Sequence, residues 1–316
     1  EIADRDWSSD VCSSDLAHDA GEEVMRTTLG LVRRNIRVYY RDRGQVVLSL
    51  IAPLILLLLY VLFLGNLQVD TLEDSLPEAS AEQVDAFVYT WVFSGMVMIT
   101  TVTTGLSALN TFVEDRVFGR FKDFRVSPIN SVQLITGYLV ASCLIAFVMS
   151  MVVFAAGLVV VSMAYDSFPG WRNVFLSVGY AALMCLGFSS LSALMVTFVR
   201  TSGAFTSLSV IVGTIIGFLA GAYIPEGTMT KGVVHALNVL PFSQSAMLLR
   251  EPLAGGALTD LTEGLPGAHE TIAEYFGFKL MIGSMSVTNG IAVLVLVAMT
   301  IVCGGLGAFR MRRSIN

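Results

Sequence analysis

The sequence predicts an all-α polytopic membrane protein with six transmembrane helices and both termini cytoplasmic. Two observations lead there: 54% of the 316 residues are hydrophobic while only 14% are charged, and mean hydropathy is +0.72. A soluble domain carries about 25% charged residues, so a water-solvated globule is a poor fit and lipid becomes the expected solvent. A third observation, the sidedness of the charges, orients the chain and is developed below.

Residues 6–16 read Asp-Trp-Ser-Ser-Asp-Val-Cys-Ser-Ser-Asp-Leu, which resembles a sequencing-adapter oligonucleotide translated in one frame. Residues 1–16 are therefore set apart as non-native, with Met25 the expected natural start; a genuine acidic cytoplasmic tail is the other reading. Setting Cys12 aside leaves Cys143, Cys185 and Cys303, each inside an apolar run, which offers no disulfide framework. His18, His235 and His269 have no metal-ligand spacing, so no metal site is expected.

Residues 17–45 form an amino-terminal cytoplasmic segment in which Leu29, Leu31, Val32, Ile36, Tyr39 and Tyr40 interleave with arginines. Such a segment suits a helix in the membrane interface, with Arg34, Arg37, Tyr40 and Arg41 at the headgroups and the apolar face in the acyl boundary. An ordinary positive flank that only fixes topology is an equal alternative.

Crossing a ~30 Å hydrocarbon core takes about 20 apolar residues at 1.5 Å each. Six runs qualify within a permease domain spanning 46–309: 46–65, 87–110, 132–163, 173–199, 203–222 and 287–309. The third exceeds the need, so it tilts or projects. Only Arg200, Thr201 and Ser202 separate the fourth and fifth, which makes those helices antiparallel neighbours.

On one side, from Ala17 onward, lie the amino-terminal segment, the 111–131 loop, Arg200 and the basic tail 310–316, together holding 14 basic and seven acidic residues. The opposite side, chiefly the extracytoplasmic segment 223–286, holds four basic and 13 acidic residues. Lys/Arg excess marks the cytoplasmic side, and an even number of spans returns the chain to it.

No span carries Asp, Glu, Lys, Arg or His at its centre, which argues against proton- or sodium-coupled carriers and against membrane-embedded hydrolytic or redox chemistry. The interior polarity is Thr100, Thr101, Thr103 and Thr104, then Ser189, Ser190 and Ser192, then a stripe of Gly213, Gly217 and Gly221. Small residues at that spacing permit close helix approach, either within one subunit or across a dimer seam. The threonines could also line a substrate path.

The most specific stretch is the loop 111–131. Val113, Val117, Phe121 and Phe124 fall at spacings that place one apolar stripe on a short helix, ringed by charges. Ser127 followed by Pro128 reads as an N-cap with proline at the first helical position of the third span. An aromatic-studded amphipathic helix at a cytoplasmic face needs a protein groove to fill.

This loop, with its charged start, mid-loop glycine and terminal Ser-Pro, resembles the coupling loop of type-2 ATP-binding cassette (ABC) exporter membrane subunits, and the resemblance extends over most of 25–309. Arg34-Asn-Ile-Arg-Val-Tyr-Tyr-Arg-Asp42 is similar to the family's connecting helix. Gly221-Ala-Tyr-Ile-Pro225, Leu237 to Phe242 and Leu248-Leu-Arg250 resemble its segment that dips back toward the outer leaflet. Glu251 to Met285 departs from the pattern, being acidic, Gly-rich and longer than the family core; an ordered cap and a loose loop are both open.

The resemblance implies a permease that exports a drug-like, lipidic or other amphipathic substrate from the bacterial cytoplasmic membrane. It further implies a second permease copy, identical or not, and an ABC ATPase subunit that holds ATP and Mg. Membrane lipids are the remaining expected partner, and no nucleic acid is expected. None of the three lysines follows a glycine, so the chain has no phosphate-cradling G-x-x-x-x-G-K-[ST] and no ATPase site or cofactor of its own is expected. Within the loop, Phe121 and Phe124 are the expected apolar anchors for the ATPase, and Glu114, Arg116 and Arg120 the rim ion pairs. Gly119 is either a bend or a mere helix weakener costing ~1 kcal/mol. A reading from a different class remains: a non-transporting membrane scaffold or sensor subunit that docks a cytoplasmic partner.

Overall fold

A computed structural model of the chain describes residues 9–59, 68–72, 76, 79–125, 129–165 and 167–315. The helices run in the order α1 (Ser9–Arg41), α2 (Arg43–Leu59), α3 (Ala81–Ala108), α4 (Asn110–Val117), α5 (Phe121–Arg125) and α6 (Ser131–Ala164). They continue with α7 (Trp171–Val196), α8 (Ser202–Leu219), α9 (Lys231–Val239), α10 (Pro241–Leu261), α11 (Ala268–Tyr275) and α12 (Asn289–Ile315). A two-stranded hairpin, β1 (Leu280–Ile282) and β2 (Met285–Val287), precedes α12.

Five of these segments are long and apolar enough to cross a membrane: Ala81–Val117, Ser131–Ala164, Trp171–Val196, Ser202–Leu219 and Asn289–Arg313. The pair α9 and α10, bent by 85° between them, makes a sixth if counted as one broken span. Five expected spans thus have their helices. The expected span 46–65 is represented by α2, and its remainder from residue 60 lies outside the described residues. The chain is an all-α multi-pass membrane protein.

Helix α3 is the axis of the bundle. A capping box starts it: the Ser80 hydroxyl accepts from the Gln83 backbone N–H, and the Gln83 side chain accepts from the Ser80 N–H. Its aromatic and aliphatic side chains, among them Phe87, Trp91, Phe93, Met98 and Ile99, are buried against α6, α7 and α10. Of the threonines of this helix, Thr103 is half-buried and lines an open pocket with Ser209 and Gly213. Thr100, Thr101 and Thr104 are buried, and their hydroxyls donate to the carbonyls of Met96, Met98 and Thr100 at 2.7, 2.7 and 2.5 Å. Back-bonding of this kind satisfies a hydroxyl where no water is available.

Small residues let the helices close up. A Cβ on Gly137 of α6 would lie 2.8 Å from Leu31 Cβ of α1, and one on Gly157 would run into the Phe93 ring. Helix α6 starts at Ser131 under a second capping box, Asn130 with Gln133. The cap of this helix is therefore Asn130, and the expected start at Ser127 and Pro128 falls on residues outside those described.

The acidic stretch after Glu251 is ordered. Helix α10 runs through Gly255 and Gly256 to Leu261, α11 follows, and the hairpin pairs Leu280 with Val287 and Ile282 with Met285. Phe276 packs edge-on against Phe87 and Trp91, with centroids 4.9 and 5.2 Å apart, and Trp91 Nε1 donates to its carbonyl at 2.9 Å. Segment 223–286 is thus helical structure docked on the bundle.

The glycine stripe of α8 divides. Gly217 accommodates the Tyr223 ring of its own chain, Gly221 takes a positive φ of 59° as α8 ends, and Gly213 has nothing within 4 Å. Gly217 and Gly221 fold the chain back on itself. Gly213 leaves an open face on a helix of which only Phe205, Ile216 and Gly217 are buried.

Candidate functional site

The densest polar constellation lies where α3 passes through Leu109 into α4. Asp115 on α4 has no exposed surface, and four hydrogen bonds reach its carboxylate. Oδ2 accepts from Arg34 Nη1 at 2.7 Å and from the Tyr138 hydroxyl at 2.5 Å. Oδ1 accepts from Arg34 Nη2 at 3.0 Å and from Arg120 Nη1 at 2.8 Å. Each oxygen has two donors, which fills the acceptor capacity of a carboxylate. Arg34 binds in the bidentate fork that suits guanidinium to carboxylate. Burial works against the Arg34 charge, but the hydrogen bonds and charge of Asp115 outweigh it and leave its pKa above the ordinary arginine value.

Three elements meet on this one side chain: α1 through Arg34, α6 through Tyr138, and the turn after α4 through Arg120. An isolated buried carboxylate would cost several kcal/mol, so the pairing is what allows Asp115 to sit inside the protein. Around it, Phe112 contacts Tyr138 and Phe121 with centroids 5.3 and 5.4 Å apart, and the Arg34 guanidinium lies 5.4 Å from the Phe124 ring.

The loop is not one helix. Helix α4 ends at Val117, residues Phe118–Arg120 turn, and α5 begins at Phe121. Gly119 sits at the turn with φ 72° and nothing within 4 Å of where a Cβ would be, so the constraint is conformational and the residue is the bend. The break redirects the expected stripe. Val113 and Phe121 are buried in the chain's own core, Phe124 is half-buried against Arg34, and Val117 is 43% exposed. The expected anchor Phe121 is accordingly corrected to an internal packing residue, while Phe118 at the turn, which the stripe omitted, is 66% exposed.

The charged residues expected at a rim are also partly spoken for. Glu114 accepts from Asn110 Nδ2 at 3.0 Å, and Arg120 joins Asp115. Arg116 donates to the carbonyl of Val199 at 2.6 Å, just past the end of α7, where a cation complements the helix dipole. Arg310 of α12 reaches the same end, donating to the Thr197 hydroxyl at 3.2 Å and lying 4.2 Å over the Phe198 ring. The amino-terminal helix, the loop, the α7–α8 connection and the carboxy-terminal helix therefore gather at one end of the bundle, and these are the four segments with the basic excess.

On α1, Arg37, Tyr40 and Arg41 are exposed, whereas Leu31, Val32, Asn35 and Tyr39 are buried. Of the apolar residues expected in lipid, Leu31, Val32 and Tyr39 instead pack on protein, chiefly α6, while Leu29 and Tyr40 are exposed.

A second polar centre went unread in the sequence. Arg250 of α10 has no exposed surface; it donates to the carbonyls of Ala220, Gly221 and Gly277 at 2.9, 2.7 and 3.1 Å and lies 3.7 Å from Glu226 Oε1. Its guanidinium is also 5.4 Å from the Trp91 ring. It staples the end of α8 and the turn after α11 to the buried axis. The available signal was an arginine set between Leu248-Leu249 and Pro252-Leu253.

The fold is a multi-pass helical bundle with a helical elbow held at one end. The description ABC-2 type transporter matches residues 27–252, and the chain belongs to that family. In this family the ATPase resides in a separate subunit and permeases dimerise. A search among curated proteins gives no match.

Proposed function

We propose that the chain is the permease of an ATP-driven exporter, coupled through residues 114–125 to a separate ABC ATPase that holds ATP and Mg. In this reading a second permease copy completes the transporter, and both termini, α1 and the elbow face the cytoplasm of a bacterial cell. An amphipathic substrate suits a path bounded by apolar helices. One observation carries the coupling assignment: the elbow presents the exposed Phe118 at a bend whose base is immobilised by Asp115, Arg34, Arg120 and Tyr138. A projecting aromatic on a rigid base suits a partner groove, because little entropy is lost on docking. Force applied at the bend would pass through α4 directly into α3.

The test is ATP hydrolysis by the reconstituted complex. Because Phe118 is exposed, Phe118→Asp should leave insertion and thermal midpoint unchanged while lowering substrate-stimulated hydrolysis about tenfold or more, the effect of losing an interface hot spot. Unchanged stimulation would overturn the coupling assignment. A complex that assembles but moves no solute would favour the scaffold reading.

A further inference from the structure

The segment between α8 and α12 holds a polar cleft of about 530 Å³. That size falls within the ~300–1,000 Å³ of small-molecule sites. Two of its walls are helix faces. On α9, Lys231, Val234, His235 and Asn238 are spaced by three, one and three residues, which puts them on one side of a helix. Helix α11 contributes Thr271, Glu274 and Tyr275 at the same kind of spacing. Two lining groups are enclosed: Asn238 and Glu226 are each 2% exposed. Asn238 Nδ2 donates to the Met281 carbonyl at 3.1 Å, but no hydrogen-bond donor reaches its Oδ1 among the described residues. Glu226 Oε1 likewise accepts no hydrogen bond among them, and Arg250 lies 3.7 Å away as its ion partner.

Lys231 and Glu274 bring opposite charges to the two helical walls; both are exposed, and neither makes an ion pair among the described residues. The other lysine of the cleft, Lys279, is already bound to Glu270 at 2.8 Å. We infer that this cleft binds a small zwitterion, an amino acid or short peptide with an apolar side chain, whose carboxylate pairs with Lys231 and whose ammonium pairs with Glu274 and donates to Asn238 Oδ1. A lone anion would answer Lys231 and be repelled by Glu274, and a lone cation would meet the converse. One ligand carrying both charges answers both walls and gives the orphaned acceptor a donor. Met229, Val234 and Tyr275 supply half-buried apolar surface in the same cleft. The Tyr275 ring is set in place at Gly227, where any side chain would run into it. Glu226 ties the cleft to the bundle, since Arg250 beside it holds the carbonyls of Ala220 and Gly221 where α8 ends. The site rests on neither the orientation nor the ATP coupling proposed above.

The full chain, purified in non-ionic detergent, is titrated calorimetrically with leucyl-leucine, with its N-acetyl derivative and with its carboxy-terminal amide. The free dipeptide should bind saturably. Each capped form should bind about threefold to fivefold more weakly, the effect of losing one exposed ion pair. Raising salt to about 0.5 M should narrow both differences by screening. Each variant should lose the preference at one end only: Lys231→Gln over the amide, Glu274→Gln over the acetyl form. Because both residues are exposed, the thermal midpoint should stay unchanged in the two variants, which separates loss of charge from misfolding. Absence of saturable binding, or equal affinity for the three compounds in the unaltered chain, overturns the proposal. An acetyl form that binds as well as the free dipeptide makes this a carboxylate site, an amide that does so makes it an amine site, and either overturns the zwitterion assignment. Neither nucleotide nor ATPase is present, so failure of ATP coupling and failure of ligand binding are read separately.

Discussion

Asp115 is the residue on which the elbow depends. With all four acceptor positions filled and no exposure, its removal would take the shared partner from Arg34, Arg120 and the Tyr138 hydroxyl together. Asp115→Ala removes four hydrogen bonds to a charged group at once, whereas Tyr138→Phe removes one, worth about 1.5–3 kcal/mol. Asp115→Ala should therefore destabilise the protein more than Tyr138→Phe, as read by thermal unfolding in detergent; equal midpoints for the two would show that the cluster adds little. The sequence displayed Asp115 among other charges of the loop, but Arg34 stands 81 residues away and Tyr138 23 residues away. Sequence spacing is silent on pairings at that separation, so Arg34 was legible only as an interfacial arginine. Phe121 and Phe118 exchanged roles for a local reason. The positive φ at Gly119 interrupts the helical periodicity that the stripe assumed, turning one ring inward and leaving the other outside.

Among the elements, α1 is defined by what it leans on. Its contact with α6 runs over Gly137, where the absent side chain admits Leu31. Gly137→Leu should force the two helices apart and cost about 1–3 kcal/mol by overpacking. A cysteine introduced by Leu31→Cys, unreactive while buried, should then become accessible to a thiol reagent. Persistent protection of that position in the Gly137→Leu background would show that the seam does not hold α1. The long apolar runs of α3, α6, α7, α8 and α12 were legible because lipid demands continuous hydrophobicity at fixed length. The 85° bend between α9 and α10 was not, since two short helices of mixed composition show no continuous apolar run.

For the whole molecule, the charge asymmetry has a geometric counterpart: the basic segments meet at one end, joined by Arg34 to Asp115, Arg116 to Val199 and Arg310 to Thr197. The orientation proposed above, from the positive-inside bias, puts that end in the cytoplasm. Single cysteines placed by Phe118→Cys and Gly283→Cys, in a background lacking the native cysteines, should report opposite sides of the membrane to an impermeant maleimide. Intact cells should label position 283, and position 118 should react only after permeabilisation; the reverse pattern would invert the topology.

By itself the sequence determined the solvent of this protein, the length and place of five of its apolar helices, the segments in which cationic residues collect, and the loop that resembles its family. These are properties of composition and period, which a chain carries wherever it folds. Only the tertiary structure decided which aromatic faces outward, which carboxylate gathers α1, α4 and α6, and that Arg250 is enclosed by backbone carbonyls. Each of those depends on groups distant along the chain meeting where water is excluded, and there a polar atom is stable only when a particular partner has been brought to it.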